Sequence, residues 1–240
     1  MPSKPASPKV SPKRSYLAAE RGPHPLSITL NTTPEMATKL KLLQQEFAAV
    51  CNAIAPIVQE TRCWNRVALH HLLYHNLRER FPQLGSQLVC NAIYSVSRHC
   101  RTIFQSPGSP FNLTRLGNRP LPKMRFSPEA PVYFDRHTLS LRNGIVSMLT
   151  LDGRIRFRLT ISEEDEHRFR HERLREIVLF QENNRYQLQF VFAPPAGTRV
   201  SPPRQVATRR EPHETTKLPE FVVLSGADST ELAKELGEVA

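Results

Sequence analysis

The segment from residue 154 to residue 161 alternates strictly between polar and apolar side chains. A period of two is typical of a β-strand with one buried face, and it places all the arginines of the segment on the opposite face. These arginines are Arg154, Arg156 and Arg158. The preceding Asp152-Gly153 pair predicts a type I′ turn, because both residues tolerate positive φ. Residues 145–161 therefore predict a hairpin with one core face and one phosphate-attracting face, although an ordinary solvated face is the alternative.

The overall charge indicates a polyanionic partner. The chain has 33 Lys and Arg against 22 Asp and Glu, with a net charge of +11. Basic side chains that bind phosphates release condensed counterions, so nucleic acid is the first candidate and an acidic membrane surface the second. No apolar run reaches the roughly 18 residues that span a bilayer, and the N-terminus lacks a hydrophobic signal core. We expect a cytoplasmic protein with no membrane segment.

Neither the cysteines nor the histidines form a recognisable metal motif. The four cysteines include no C-x-x-C pair, so we expect reduced thiols rather than a zinc ribbon or a redox site. His71 and His75 have the i, i+4 spacing of a helical metal site, but no third ligand accompanies them. No metal and no cofactor are predicted for this chain.

The first hundred residues of the folded part predict one strand followed by three helices. Leu26, Ile28 and Leu30 alternate with polar residues, which indicates a short strand. Thr33-Pro34-Glu35 is a helix start, with a hydroxyl cap and a proline in the first turn. Apolar spacings of three and four then predict helices from 34 to about 56, from about 65 to 81 and from 86 to about 103.

The second half of the chain predicts a sheet that the first strand joins. Strands are expected between residues 132 and 192, with Asn183-Asn184 as the turn between the last two. The strand near residue 28 is a lone edge unless it pairs with these later strands. We therefore predict an α+β fold, in which a small β-barrel of residues 26–32 and 126–193 is interrupted by a helical insertion, residues 33–110.

The remaining segments are basic and rich in proline. Residues 1–25 predict a disordered basic tail, residues 111–125 a basic connector that carries Lys123 and Arg125, and residues 194–219 a linker.

Several segments, in this order and spacing, resemble the TnpB (OrfB) family of transposon-encoded proteins. They are ITLNTTPE at 28–35, VCN at 50–52, YHNLRERFP at 74–82, and VYFDRHTLSL at 132–141 followed by Gly153-Arg154. The resemblance implies a wedge-like barrel interrupted by a helical recognition lobe. In that family these parts hold a guide RNA and read a short motif beside the DNA target, while base pairing reads the rest.

The same resemblance bears on the C-terminal segment. FVVLSGAD at 221–228 resembles the first strand of the family's RuvC-like nuclease, which implies Asp228 as its first metal carboxylate. An N-terminal helix cap is the alternative role for Asp228. The family's other acidic residues and its C-x-x-C insertion have no counterpart here. A divalent metal would then be held only if a second polypeptide completed the site, because one carboxylate cannot hold two metal ions.

We therefore expect a nucleic-acid-binding, transposase-like protein that binds RNA and DNA without a complete nuclease site. The residues expected to contact phosphates are Arg154, Arg156 and Arg158, with Lys123 and Arg125 nearby. Two alternatives remain open. In the first, the chain is the front piece of a split RNA-guided endonuclease; in the second, it is a basic helical module that binds other proteins.

Overall fold

The computed structural model describes residues 25–193 and 221–224. The predicted tail (all but residue 25), the linker 194–219 and Asp228 lie outside the described residues.

The described part of the chain mixes helices and strands. The helices are α1 (Pro34–Thr61), α2 (Arg66–Arg80), α3 (Ser86–Gln105), α4 (Leu113–Leu116) and α5 (Glu163–His171). The strands are β1 (Leu26–Thr29), β2 (Lys123–Phe126), β3 (Val132–Phe134), β4 (Leu139–Arg142), β5 (Ile145–Thr150), β6 (Gly153–Arg158), β7 (Leu174–Glu182), β8 (Arg185–Phe192) and β9 (Phe221–Leu224).

The first strand pairs with one of the last, as the sequence predicts. β1 lies antiparallel to β8, with Leu26 opposite Phe190, in a four-stranded sheet of order β1-β8-β7-β3. Helices α1 to α3 are therefore an insertion between two strands that are neighbours in space. Leu30 continues this connection, because its N–H donates to the Tyr186 carbonyl at 2.8 Å.

The described strands form three open sheets and do not close into the predicted barrel. A three-stranded antiparallel sheet has the order β4-β5-β6, and β2 pairs in parallel with β9. The break between β3 and β4 is a turn at 135–138, where Asp135 Oδ1 accepts hydrogen bonds from the backbone N–H groups of His137 and Thr138. This turn redirects the chain, so that β4 begins a new sheet instead of extending the ladder of β3.

Helix α1 is longer than predicted. Thr33 caps it by accepting a hydrogen bond from the Met36 N–H, as expected, but the helix passes through Pro56 and ends at Thr61. Ile54 and Val58 are both fully buried on either side of Pro56, so the apolar face continues across the proline. Tertiary packing therefore outweighs the local cost of a proline inside the helix.

Helix α3 is the centre of the helical part, and both α1 and α2 pack against it. Twelve of its 20 residues are buried, and it also packs against β3. Helix α2 buries only Leu69 and Leu77, while Leu72, which lies between them in the chain, is 61% exposed. The helices and the sheets share one continuous apolar core.

The hairpin turns differ in part from their predictions. Asn183 and Asn184 have positive φ, 50° and 60°, which confirms the predicted turn between β7 and β8. The Asp152-Gly153 prediction is wrong in detail. Thr150 pairs with Gly153, so residues 151 and 152 are the central pair, and only Gly153 has positive φ, 101°. The type I′ turn lies one hairpin earlier, where Asn143-Gly144 (φ 51° and 70°) joins β4 to β5.

Candidate nucleic-acid interface

The three-stranded sheet has one buried and one exposed face. Ile155, Phe157 and Leu159 are all at most 9% exposed, while the three arginines between and before them are exposed. The predicted alternation of residues 154–159 is therefore confirmed. Apolar contacts on the inner face hold β6 in a register that leaves its arginines in solvent.

The strand register adds a fourth arginine to the exposed face. Arg142 of β4 pairs with Ile145 of β5, which pairs with Arg158 of β6, so these three side chains form one row. Ser140, Ser147 and Arg156 form the next row. We call this surface the arginine face, defined by Arg142, Arg154, Arg156 and Arg158. Sequence reasoning missed Arg142, although the Asn143-Gly144 turn signal would have paired it with β5.

Arg154 differs from the other arginines of this face, because its guanidinium is already bonded within the protein. Its Nε donates to Ser147 Oγ at 3.0 Å, and its terminal nitrogens donate to the carbonyls of Ser147, His137 and Thr138 at 2.9, 3.3 and 3.4 Å. A guanidinium has five N–H donors, so these bonds occupy four of them. Arg154 therefore ties the 135–138 turn to the sheet and retains little capacity for a phosphate.

Arg142, Arg156 and Arg158 are exposed, and within residues 25–193 and 221–224 they have no hydrogen-bond or ion-pair partner. The paired rows of the face contain serine and aliphatic residues and no acidic residue. The positive charge of this surface is therefore uncompensated by its own strands.

Lys123 and Arg125 lie on a different sheet from the arginine face. Both are exposed on β2, where they alternate with buried Met124 and Phe126. This strand is held against α1 by Asn52, whose side-chain amide accepts from the Phe126 N–H at 2.8 Å and donates to the Phe126 carbonyl at 2.9 Å. Lys123 and Arg125, which the sequence predicts near the three arginines, therefore lie on a sheet that no strand ladder of the described residues joins to the arginine face.

The described residues contain no group of three or more His, Cys, Asp or Glu side chains placed to hold a metal ion. His71 and His75 are exposed on α2, and Asp228 is outside the described residues. All four cysteines are unpaired, and burial raises the pKa of the Cys51 and Cys100 thiols. Burial also lowers the pKa of His99 to about 4, so this histidine is neutral near pH 7.

Comparison of the chain with protein-family models and with curated protein sequences gives no match. In the described part of the chain, no helix combines the length and the apolar character that crossing a bilayer demands.

Proposed function

We propose that this protein binds nucleic acid through the arginine face, as a transposon-associated protein of TnpB (OrfB) type that binds guide-type RNA and target DNA without a complete nuclease site. The observation that carries the proposal is the row arrangement of Arg142, Arg156 and Arg158. They are exposed, they share one sheet face, and no acidic residue lies in their rows. The net charge of +11 favours the same class of partner.

The spacing of these arginines suits a phosphate backbone. Two residues that are two positions apart on a β-strand are separated by about 7 Å. Duplex DNA carries one negative phosphate charge per about 1.7 Å of its axis, with both strands counted. Arg156 and Arg158 therefore span a length of duplex that holds about four phosphates. Contacts of this kind position a nucleic acid without reading its sequence.

The helical recognition lobe belongs to this proposal as well. The β1–β8 ladder with the helical insertion between its strands supports the lobe, whereas the described strands form open sheets and give no support to a closed barrel. The sequence-reading role would then fall to a bound guide RNA, and the protein would supply backbone contacts.

The test is an alanine variant of the three unpartnered arginines, R142A/R156A/R158A. Binding of a short RNA hairpin and of a DNA duplex is measured by fluorescence anisotropy at several salt concentrations. The logarithm of the association constant falls as the logarithm of the salt concentration rises, and loss of three phosphate contacts should make this negative slope shallower by about 2 to 3. The matched control K41A/R115A/R185A removes the same charge from three exposed positions on α1, α4 and β8, and it should keep the wild-type slope.

Unchanged binding by R142A/R156A/R158A would exclude the arginine face and favour the protein-interaction alternative. That alternative would use the apolar side chains that α2 exposes, Val67 at 60% and Leu72 at 61%.

The guide-binding part of the proposal has its own test. The chain is purified from cells that carry its genomic neighbourhood, and the RNA that survives a high-salt wash is sequenced. One enriched RNA encoded beside the gene supports a guide-binding protein. Recovery of only random RNA fragments that the high-salt wash removes would contradict guide binding and would indicate a nonspecific basic surface.

A split nuclease is the second candidate, and the pairing of β9 favours it. β9 lies parallel to β2, and within the described ranges this parallel sheet has only these two strands. Parallel sheets are usually larger and covered on both faces, so strands from a second polypeptide would complete this one. Copurification of a polypeptide that restores magnesium-dependent DNA cleavage, together with loss of that cleavage in D228N, would support this function.

A further inference from the structure

A cleft of about 1280 Å³ opens between the helices and the sheets. Its lining residues come from α2 and α3 and from β3, β4, α5 and β7. Pockets for drug-sized ligands usually measure about 300–1,000 Å³, so this cleft is large enough for more than one nucleotide.

Residues 135–137 of the turn between β3 and β4 line the cleft, and this turn is held from both sides. Gln87 of α3 donates to Asp135 Oδ2 at 2.6 Å, and Asn91 donates to Thr138 Oγ1 at 3.3 Å. Arg154 holds the same turn from the three-stranded sheet, through the His137 and Thr138 carbonyls. The turn is therefore fixed in place, and its two central residues, Arg136 and His137, are exposed beside the cleft.

An irregularity in β7 brings another arginine to the cleft. The register of β7 with β8 shifts between Leu174 and Glu176, so Arg175 is an extra, bulged residue. A bulge redirects a side chain, and here the adjacent residues Arg175 and Glu176 both line the cleft. The Glu176 carboxylate is already occupied, because Tyr94 donates its hydroxyl to it and Arg98 pairs with it at 3.0 Å.

The charges along the cleft do not cancel. Two of its three carboxylates are paired with arginines, Glu176 with Arg98 at 3.0 Å and Glu166 with Arg170 at 2.7 Å. The third, Asp135, accepts hydrogen bonds from neutral donors only and keeps its charge. Three arginines that line the cleft have no carboxylate partner among residues 25–193 and 221–224, and they outnumber this one unpaired carboxylate; they are Arg66, Arg136 and Arg175. The cleft therefore has an excess of positive charge and attracts anions.

Flat groups also line the cleft. The Arg66 guanidinium lies 5.9 Å from the centroid of the Tyr94 ring. The Phe169 ring packs edge-to-face against Phe190 and is partly exposed. His70 and His137 also line it. Aromatic rings and guanidinium planes are the groups on which proteins stack unpaired bases.

The cleft adjoins the arginine face along β4. Ser140 lines the cleft and lies in the same row as Arg156. We propose that the cleft binds the unpaired nucleotides of a nucleic-acid strand whose phosphates lie along the arginine face. This inference rests on the proposed function. The bases would stack beside Arg66 and Tyr94, and Arg136 and Arg175 would contact the phosphates.

The test compares two fluorescein-labelled RNA hairpins with equal numbers of phosphates, one blunt and one with a short unpaired 3′ end. The cleft variant R66A/R175A is matched by the face variant R156A/R158A, which loses the same charge. The wild-type chain should prefer the hairpin with the unpaired end by about fivefold or more, the effect of one stacked base. R66A/R175A should lose that preference and still bind the blunt hairpin, whereas R156A/R158A should weaken both hairpins equally.

A second readout separates stacking from charge. 2-Aminopurine in the unpaired end should lose fluorescence when it binds the wild-type chain. R66K/R175K keeps both charges and removes the guanidinium planes, so it should keep the salt slope and lose most of this quenching.

Several outcomes overturn the proposal, and they are distinguishable. If both hairpins bind with salt dependence but without preference, or if R66A/R175A keeps the preference, the cleft assignment fails and the arginine face stands. If neither hairpin binds, the proposed function fails with it. If adenosine monophosphate binds more tightly than the hairpin with the unpaired end, the cleft is a site for free nucleotides and not for a nucleic-acid strand. Tighter binding of the hairpin supports the strand.

Discussion

Arg154 and Arg156 lie two residues apart on the same strand and face, yet the structure assigns them opposite roles. Arg154 makes four hydrogen bonds within the protein, whereas Arg156 has no partner in the described part. Replacing each by alanine removes the same charge from the same surface. We therefore expect R154A to reduce folding stability and R156A to reduce nucleic-acid binding.

The size of the R154A effect follows from its bonds. An exposed hydrogen bond contributes about 0.5 kcal/mol, the low end of the usual range, so four bonds give about 2 kcal/mol. The bonds to the His137 and Thr138 carbonyls are long, at 3.3 and 3.4 Å, which reduces the expected loss to about 1–2 kcal/mol. R156A should change stability by less than about 0.5 kcal/mol, as surface substitutions usually do.

The assay is urea denaturation of both variants, followed by far-ultraviolet circular dichroism. R154K provides a further control, since it keeps the charge and loses the planar fork, and it should recover little of the lost stability. Equal stability of R154A and R156A would refute the role of Arg154 as a tether for the 135–138 turn. Wild-type stability in R154K would show that charge, and not the hydrogen bonds, is what matters.

Three further predictions concern the fold. N52A should lower the free energy of unfolding by about 2–4 kcal/mol in urea denaturation, because it leaves the N–H and carbonyl of Phe126 without their partner. G153A should cost about 1 kcal/mol, since Gly153 has φ of 101°, whereas G108A, at a position with open space and no positive φ, should not destabilise the fold. Burial lowers the pKa of His99 from 6.5 to about 4, so as the pH falls the unfolded chain binds a proton at this residue before the folded chain does. The contribution of His99 to the free energy of unfolding is therefore complete above pH 6.5 and decreases as the pH falls toward 4. The variant H99L should make the free energy of unfolding, measured by urea denaturation, less dependent on pH in this range.

Local signals in the sequence account for much of the secondary structure. The Thr33 cap, the Asn183-Asn184 turn and the alternation of residues 154–159 each depend on neighbouring residues, and the structure confirms all three. The sequence predicts the end of α1 too early, because the effect of Pro56 is local while the burial of Ile54 and Val58 depends on packing against other elements. The single-residue error at Asp152-Gly153 arose because strand register, which also depends on packing, decides which residues are central in a turn.

For the candidate site too, one part follows from local sequence and another part only from the tertiary structure. Period-two alternation determined which arginines of β6 are exposed, because side chains on a strand must point to alternate faces. Only the tertiary structure decided which of them is free to bind, since the partners of Arg154 come from another strand and from the 135–138 turn. The addition of Arg142, the separation of Lys123 and Arg125, and the cleft all depend on pairings between residues distant in the chain. Such pairings are set by the packing of the whole core, which no short sequence window contains.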